Sequence, residues 1–356
     1  MTASPPPTEI TQQRRDLLAA VGLSRAGKTA AAEAAFKGYL AKYPNCFDGW
    51  CSLALLLKRD NRFAQAARAF AAALRIRDDI PARNAVVTSL WRAGEHAAAK
   101  AQGRLALEKK DALACDAYRA QPKGDQKTLS ERRPDHAKRK PGQKVISFGL
   151  WGDNPVYVSG AIINARITPH LYQGWKARFY CDHTVPQDAR DILSRLGAQV
   201  ILMEDPAWQA FRPMWRFLAS DDPEVDLFLC RDADSRLNVQ EVLAVEAWRN
   251  SGKRFHVMRD HIFHMELILA GLWGGVAGVL PPLGPWLREA RAYHDDRFAD
   301  QAFLAAEIWP LIREDLCTHD SVYGFPDDQD FPPGYRLPRP IHVGGGVKKM
   351  PHWTKI

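Results

Sequence analysis

The chain has 356 residues, of which 46% are hydrophobic and 25% are charged, and its formal net charge at pH 7 is +8. This length suffices for two domains with separate cores, and the composition is that of an ordinary globular protein. The positive charge favours acidic partners, among them nucleotides, phosphorylated substrates, nucleic acid and anionic membrane surfaces, without choosing among them.

The cysteines and the apolar segments indicate where the protein resides. The six cysteines are scattered and include no CxxC pair, and the first residues contain no apolar segment typical of a secretory signal. The longest apolar stretch, residues 267–283, is short for a membrane span, is rich in glycine and ends in two prolines. We therefore expect a cytoplasmic protein with reduced thiols, in which residues 267–283 are buried structure.

Residues 1–120 are rich in alanine and contain an internal repeat. GKTAAAEAAF ends at Phe36 and NRFAQAARAF ends at Phe70, and a third copy begins at Gly94. A period near 34 residues with small side chains on one helix resembles the tetratricopeptide repeat, which predicts an all-α domain of about three repeats. The larger apolar residues expected between repeats are Phe36, Leu40, Phe70 and Leu74. Such a domain forms either a groove for a peptide or protein partner, or a helical cap on the rest of the chain.

Residues 121–143 show no apolar periodicity and predict a linker. This segment contains a basic cluster, consisting of Arg132, Arg133, Lys138, Arg139 and Lys140. The cluster is either attracted to an anionic membrane surface or acidic substrate, or is simply solvated. Because no aromatic residues alternate with the basic ones, nucleic-acid binding is not expected.

Strands alternate with helices over residues 144–356. The predicted strands are 144–152, 176–182, 199–204, 225–232 and 254–260, and the predicted helices are 186–197 and 238–252. This alternation predicts an α/β domain with a Rossmann-like, mostly parallel sheet. Ligands of such a domain bind at the carboxyl ends of the strands.

Two aspartates end the predicted strand DLFLCRD. Asp232 and Asp234 are two residues apart, so in an extended segment both side chains leave on the same side. Adjacent carboxylates raise each other's pKa unless a cation neutralises them. Their hard oxygen atoms suit Mg²⁺ or Mn²⁺, which commonly completes its coordination with substrate phosphates. The pair therefore predicts a metal site.

The strand and the following RDADS resemble the DxD motif of nucleotide-sugar glycosyltransferases of the GT-A fold. Other segments follow the same order: ISFGLWG at 146–152, MWRFLA at 214–219, RDH at 259–261, ILAGLWGG at 268–275, DQAFL at 300–304 and THDS at 318–321. The combination is similar to bacterial glycosyltransferases that carry tetratricopeptide repeats. The resemblance covers roughly residues 144–345.

The resemblance implies a GT-A domain that transfers a sugar, of hexosyltransferase type, from a nucleotide diphosphate sugar with the help of Mn²⁺ or Mg²⁺. The acceptor would be a hydroxyl of a glycan, a lipid-linked saccharide or a protein, with bacterial surface polysaccharide as the destination. Such an enzyme would work in the cytoplasm at the inner face of the membrane, with at most peripheral membrane contact.

The resemblance also assigns donor and metal contacts. The implied donor-binding residues are Phe148, Gly149, Trp151, Arg212, Arg216, Arg231, Asp232, Gly271 and Trp273. Arg212 and Arg216 share one helix face, with salt bridges to Asp221 or Asp222 as the structural alternative. The implied third metal contact is His319, in preference to His342. Lys348 and Lys349, after a run of glycines, are candidates to close over a diphosphate.

An inverting transferase needs a base that takes the proton of the acceptor hydroxyl. The acidic residues nearest the motifs are Asp260, the first choice, followed by Asp300 and Asp320. Each has a structural alternative, either as a partner of Arg259 or as a helix cap, and Asp300 in particular is expected to be the N-cap of the helix that begins at QAFL.

Three other functions compete with sugar transfer. A haloacid-dehalogenase-like phosphatase would have threonine or valine where this chain has Arg236, which argues against that class. Magnesium-dependent nucleotidyl or phosphoryl transfer stays open, as does a scaffold whose transferase-like domain is inactive. The spacing of His256, His261, His264 and Glu266 does not match a zinc signature.

Overall fold

The computed structural model describes residues 7–131, 142–294 and 298–356. The chain forms two compact units, residues 1–107 and residues 108–356. This division falls inside a helix, His96–Ala120, and not at the expected boundary after residue 120. The basic cluster at 132–140 lies outside the described residues.

The first unit is a stack of helical hairpins. Its helices are α1 (Pro7–Arg25), α2 (Thr29–Lys42), α3 (Phe47–Arg59), α4 (Phe63–Leu74), α5 (Ile80–Arg92) and the first half of α6 (His96–Ala120). Each hairpin turns at a residue with positive φ, namely Gly27, Asn61 and Gly94. The equivalent positions of these turns confirm the predicted helical repeat.

The core of the first unit follows the same period. Ala32, Ala66 and Ala99 are each 0% exposed, so only a methyl group separates the helices at these points. Phe36, Leu40 and Phe70 are buried, and Leu74 is half-buried against the same cluster. The predicted division between small contact residues and larger filling residues is confirmed.

The second unit is an α/β domain. Its strands are β1 (Gln143–Leu150), β2 (Trp175–Cys181), β3 (Gln199–Leu202), β4 (Val225–Arg231), β5 (Phe255–Arg259), β6 (Leu272–Val276) and β7 (Leu316–Asp320). Its helices are α7 (Pro155–Leu171), α8 (Gln187–Arg195), α9 (Val239–Arg249), α10 (Leu283–Glu289), α11 (Ala299–Phe303) and α12 (Trp309–Ile312). Short 3₁₀ segments cover Arg291–Tyr293, Arg313–Asp315 and Trp353–Lys355, and a π-helical turn covers Leu304–Ile308. Two 3₁₀ segments joined by a kink at Phe211 cover Pro206–Ser220.

Among the described residues, seven strands form one sheet in the order β3-β2-β1-β4-β6-β5-β7. The strands run parallel except for β6, which is antiparallel to both β4 and β5. The expected mostly parallel α/β sheet is therefore confirmed. Helix α7 and strand β7 were not predicted as elements, although β7 contains the THDS segment.

The sheet has a reversal in strand order beside β1. The chain runs outward from β1 to β2 and β3, then crosses back to place β4 on the other side of β1. At such a reversal the connections leave on opposite sides, which opens a crevice at the carboxyl ends of the two central strands. Here those ends are Leu150 and Arg231, and the two aspartates follow directly.

Residues 267–283 are buried, as expected, with Ile268, Trp273 and Val279 each 0% exposed. None of the helices in the described parts of the chain combines the length and apolar character that a membrane span requires.

The described end of the expected linker is held in place on the second unit. The backbone N–H of Ser130 donates to the carbonyl of Val279 (2.8 Å), and its hydroxyl donates to the carbonyl of Gly278 (2.8 Å). Tyr118 likewise donates to the carbonyl of Lys127 (2.6 Å). Residues 121–131 are thus anchored and not a free tether.

Candidate active site

A pocket of about 670 Å³ opens at the carboxyl ends of β1 and β4. Four stretches line it: the end of β1 with the start of α7, the 3₁₀ segment before β4, the turn after β4, and the start of α11. The lining residues are Gly149, Leu150, Trp151, Asn154, Tyr157, Gln209, Ala210, Arg212, Pro213, Arg216, Asp232, Ala233, Asp234 and Asp300. Five of the donor-site candidates lie here, namely Gly149, Trp151, Arg212, Arg216 and Asp232.

Arg216 links two acidic residues of this pocket. Its Nη1 lies 2.9 Å from Oδ1 of Asp232, and its Nη2 lies 2.9 Å from Oδ2 of Asp300. Its Nε donates to the carbonyl of Ala270 (3.0 Å), and its side chain is only 7% exposed. Each of the three guanidinium nitrogens therefore has a partner, and the salt bridges to Asp221 or Asp222 that were the structural alternative do not form.

Asp232 and Asp234 differ in their surroundings. The side chain of Asp232 is 43% exposed and is paired with Arg216. Burial raises the pKa of Asp234, and the charge of Asp232 raises it further, while the ammonium of Lys348 opposes both effects. The negative charge of Asp232 is thus balanced by Arg216, whereas the charge of Asp234 beside it is only partly balanced.

Asp300 approaches the pocket from the start of α11. That helix begins at Ala299, so the expectation that Asp300 is its N-cap is wrong. Burial raises the pKa of the Asp300 carboxyl, whereas Arg216 lowers it. Oδ1 accepts from the N–H of Gln301 (2.8 Å), and the other oxygen faces Arg216.

Two glycines allow other elements to pack against the acidic turn. A Cβ at Gly160 in α7 would come 2.1 Å from the carbonyl oxygen of Ala233, between the two aspartates. A Cβ at Gly271, just before β6, would come 2.1 Å from Oδ2 of Asp232. Any side chain at either position would displace the turn. Gly271, predicted as a donor contact, thus lies against the first aspartate.

The C-terminal segment crosses the same turn. The N–H of Val347 donates to the carbonyl of Asp234 (2.8 Å). The segment is anchored before this point by Val343, which is buried, and after it by Pro351, whose carbonyl accepts from the hydroxyl of Ser159 (2.6 Å). The predicted approach of Lys348 to the site is therefore present, next to Asp234.

Sequence reasoning missed the three lining residues Asn154, Tyr157 and Gln209 that carry polar side-chain groups, besides four apolar ones. Asn154 caps α7 by accepting from the N–H of Val156 (3.0 Å), which directs the amino end of that helix toward the pocket. The sequence did contain a signal for this helix start. It is an asparagine before a proline, shortly after a predicted strand that ends in glycine. Tyr157 is 41% exposed and Trp151 is 37% exposed, so aromatic surface remains open at the entrance.

Comparison with known proteins does not identify the chain. No family model and no curated protein matches it. The matches among solved structures include a mutant form of the O-GlcNAc transferase of Thermobaculum terrenum, with 16% identity and a TM-score of 0.25. That match covers 65% of this chain and 47% of the other, so the chain spans about half the length of that protein. A TM-score this low does not establish a shared fold.

Four predicted donor contacts do not line the pocket, namely Phe148, Arg231, Gly271 and Trp273. Phe148 is 0% exposed and stacks on Phe179 with ring centroids 4.8 Å apart. Trp273 is 0% exposed and packs edge-on against Phe217 and Phe228 in the core.

Arg231 is also outside the pocket, because its side chain lies among buried groups behind β4. Its Nε is 3.5 Å from Oε2 of Glu241, and its Nη1 donates to the carbonyl of Cys230 (2.8 Å). Arg212 does line the pocket, but it is paired with buried Asp182, with Nη2 3.0 Å from Oδ2.

Asp260 and Asp320 act as structural acceptors. Asp260 is 0% exposed and accepts from the hydroxyl of Ser321 (2.6 Å), from Arg339 (2.7 Å) and from the N–H of Val343 (2.9 Å). It lies on the expected edge of the sheet, but its oxygens are occupied and it does not line the pocket.

Asp320 accepts from the N–H groups of Val322 (2.9 Å) and Tyr323 (2.8 Å) and lies 3.6 Å from Arg259. These contacts close the turn after β7. Of the three predicted bases, Asp300 lines the pocket.

The structure does not bring the two candidate histidines to the aspartate pair. His319 lies on β7, which β5 and β6 separate from β4, and its Nδ1 is 2.8 Å from Nε2 of His256. Burial lowers the pKa of His319 to about 4. His342 stacks on His261, with ring centroids 4.1 Å apart. In the described ranges, no three His, Cys, Asp or Glu side chains converge as metal ligands.

Replacing Asp234 by asparagine is expected to stabilise the unliganded protein at neutral pH. Because the pKa of Asp234 is raised in the folded state, its ionised form costs stability, and this cost disappears as the pH falls toward the unfolded value of 3.8. We expect a melting temperature a few degrees higher at pH 7, corresponding to about 1 kcal/mol, and no difference near pH 3. Calorimetric scans of both proteins across this range measure it. An equal gain at every pH would show that the charge is not the cause.

Proposed function

We propose that this chain is a glycosyltransferase of the GT-A type, which transfers a sugar from a nucleotide diphosphate donor to an acceptor hydroxyl. The observation that carries the proposal is the position of Asp232 and Asp234. Both follow β4 at the reversal in strand order and face one pocket together with Arg216 and Asp300, and Lys348 lies close enough to Asp234 to lower its pKa. Acidic and basic groups side by side suit a ligand that combines a cation with a phosphate chain.

The residues present fit a divalent cation. Asp232 and Asp234 offer hard oxygen atoms. The guanidinium of Arg216 contacts Asp232 and Asp300, whereas the charge of Asp234 is opposed by Lys348 and, more weakly, by Arg236. A Mg²⁺ or Mn²⁺ ion held there would neutralise charge on the departing diphosphate. Its remaining ligands would come from the substrate, because the described protein residues supply no third one.

The chain's own residues cover the rest of the reaction. The bond between the anomeric carbon and the diphosphate oxygen breaks, and its electron pair leaves with the diphosphate. Lys348 stabilises that negative charge from the C-terminal segment. The acceptor oxygen bonds to the anomeric carbon, and we assign its proton to Asp300, whose raised pKa favours proton uptake.

Trp151 and Tyr157 present open aromatic faces at the entrance, where the base and the sugar of a donor could pack. The helix dipole of α7 also favours phosphate binding, because Asn154 caps the amino end of this helix and lines the pocket. Both features support a nucleotide diphosphate sugar as the ligand.

Binding of nucleotide sugars in the presence of Mn²⁺ tests the proposal. A cognate donor at a hundredfold excess over its Kd should stabilise the native state by about 2.7 kcal/mol and raise its melting temperature. Chromatography of the products then separates the rival reactions. Sugar transfer releases an intact nucleoside diphosphate, whereas nucleotidyl transfer from the same donor attaches the nucleoside monophosphate to the acceptor and releases the sugar 1-phosphate. If no donor in a full panel binds or turns over, the proposal fails.

A further inference from the structure

Asp182 is a buried carboxylate beside the pocket that takes no part in the reaction proposed above. It follows β2, and the last residues of β1 and β2, Leu150 and Cys181, are partners in the sheet. Asp182 and Trp151 therefore leave the sheet side by side. Asp182 is 1% exposed but does not line the pocket, so its negative charge depends on partners within the protein.

One oxygen of Asp182 orients Arg212. Nε and Nη2 of Arg212 lie 3.1 Å and 3.0 Å from Oδ2 of Asp182, so two nitrogens of the planar guanidinium fix its direction. Arg212 lines the pocket, and its side chain is 34% exposed. Among the residues that the structure describes, none hydrogen-bonds to the third nitrogen, Nη1. This nitrogen is therefore left to donate to a ligand of the pocket.

The other oxygen of Asp182 fixes the loop after β1. Oδ1 accepts from the N–H of Thr184 (3.0 Å) and from its hydroxyl. Because the hydroxyl proton points to Asp182, the oxygen of Thr184 can accept, and it does so from the N–H of Gly152 (2.7 Å). Gly152 has a φ of 73° and lies between Trp151 and Asn154, which both line the pocket. The side chain of Thr184 thus connects Asp182 to the loop that carries these two residues.

A purely local role would require only part of these contacts. An aspartate that closes the turn after a strand needs one oxygen for the N–H two residues later, which is the contact of Oδ1 with Thr184. The contact of Oδ2 with Arg212 contributes nothing to that turn, and Arg212 lies 30 residues further along the chain. The contact between Thr184 and Gly152 likewise joins two separate loops. Asp182 therefore connects two walls of the pocket, the segment Pro206–Ser220 and the loop after β1, from outside the pocket.

We propose that Asp182 and Thr184 are positioning residues of this pocket. Asp182 holds Arg212 in place to bind the phosphate chain of the ligand, and Thr184 holds the loop from which Trp151 packs against the base. These roles rest on the proposed function, because they take a nucleoside diphosphate as the ligand. A side chain that is ordered before binding loses less conformational entropy when the ligand binds, so both residues should increase affinity without touching the ligand.

Calorimetric titration of the full-length protein with two ligands in the presence of Mn²⁺ tests the role of Asp182. Inorganic pyrophosphate presents a phosphate chain alone. The second ligand adds a base, and it is whichever of UDP, dTDP, GDP, ADP and CDP binds the parent protein most tightly. In Asp182→Asn the side chain has one acceptor oxygen, which does not serve both Arg212 and Thr184. We expect this variant to bind both ligands at least about fivefold more weakly.

Thr184→Val separates the two roles, because it keeps the shape of the side chain and removes only the hydroxyl. We expect this variant to bind pyrophosphate as the parent does and the nucleoside diphosphate about fivefold more weakly, since only the loop of Trp151 is released. Thr184→Ser restores the hydroxyl and should restore the affinity. The control is Asp191→Asn, which changes an exposed acid of α8 outside the pocket and should leave both affinities unchanged.

Four outcomes are decisive, and circular dichroism establishes that each variant is folded. Thr184 is exposed, so its variants should fold even if Asp182→Asn does not. Parent-like binding of the nucleoside diphosphate by Thr184→Val and Asp182→Asn would overturn the positioning roles and leave the proposed function standing. An equal loss of both ligands in Thr184→Val would overturn the separate role of Thr184. The expected losses without sugar transfer by the parent would support the positioning roles and contradict the proposed function. If the parent binds neither ligand, both proposals fail.

Discussion

Replacing Asp232 and Asp234 together by asparagine is expected to reduce sugar transfer by about a thousandfold or more. Asparagine keeps the shape of each side chain but removes the charge that would hold a cation and organise the diphosphate. Removing a single preorganised electrostatic group typically costs two to three orders of magnitude in rate, and here two are lost. Turnover of the cognate donor, measured with and without Mn²⁺, gives the effect.

The control for this experiment is Asp153→Asn. Asp153 is an exposed acid at the mouth of the site that does not line the pocket. The Asp153→Asn variant should keep its activity. The double variant should remain folded, since Arg216 retains Asp300 as a partner and Asp234 is relieved of its charge. Transfer retained by the double variant would remove these carboxylates from the reaction and, with them, the basis of the proposed function.

Strand and helix patterns could be predicted because each depends on a short stretch of chain. The run DLFLC becomes β4 with five of its seven residues fully buried, and GKTAAAEAAF becomes α2. The antiparallel direction of β6 could not be predicted, because a short apolar run such as LWGG does not indicate the direction of its strand in the sheet. Strand order likewise depends on long crossovers, here from β3 through the Pro206–Ser220 segment to β4.

The site was only partly predictable, because sequence places a residue at a strand end but does not show what its side chain contacts. Asp260 and Asp232 both follow buried strands at the same edge of the sheet. Asp260, however, meets Ser321, Arg339 and Val343, which come from distant parts of the chain and occupy its oxygens. Asp232 meets one arginine and stays 43% exposed.

Two of the aromatic residues predicted as donor contacts, Phe148 and Trp273, lie outside the pocket for a related reason. In a sheet covered on both faces, alternate residues are buried on either side, so apolar character does not indicate which ones reach a pocket. Phe148 and Trp151 are three residues apart, yet the first is in the core and the second is at the entrance. The difference is that β1 ends at Leu150, which frees Trp151 from the sheet.

Arg216→Met is expected to destabilise the second unit by about 3 kcal/mol. Removing one partner of a buried ion pair leaves an uncompensated charge, and Arg216 is the partner of both Asp232 and Asp300. The control is Arg249→Met on the surface of the same unit. Arg249 is 34% exposed and its partner Glu246 is 45% exposed, so its loss should cost no more than about 1 kcal/mol. Urea unfolding of both variants at neutral pH measures the difference.

The double variant Arg216→Met, Asp300→Asn separates charge from packing. If the uncompensated Asp300 carboxylate causes the loss, its removal should recover at least about 1 kcal/mol, so the two changes together should cost less than their sum. The partial recovery has a physical limit, since the carbonyl of Ala270 still loses its donor and Asp232 stays unpaired. Additive losses would instead mean that the aliphatic part of Arg216, packed beneath the pocket, matters more than its charge. Arg216 would then be a packing residue of the core, and the acidic turn would depend on other cations, Lys348 foremost.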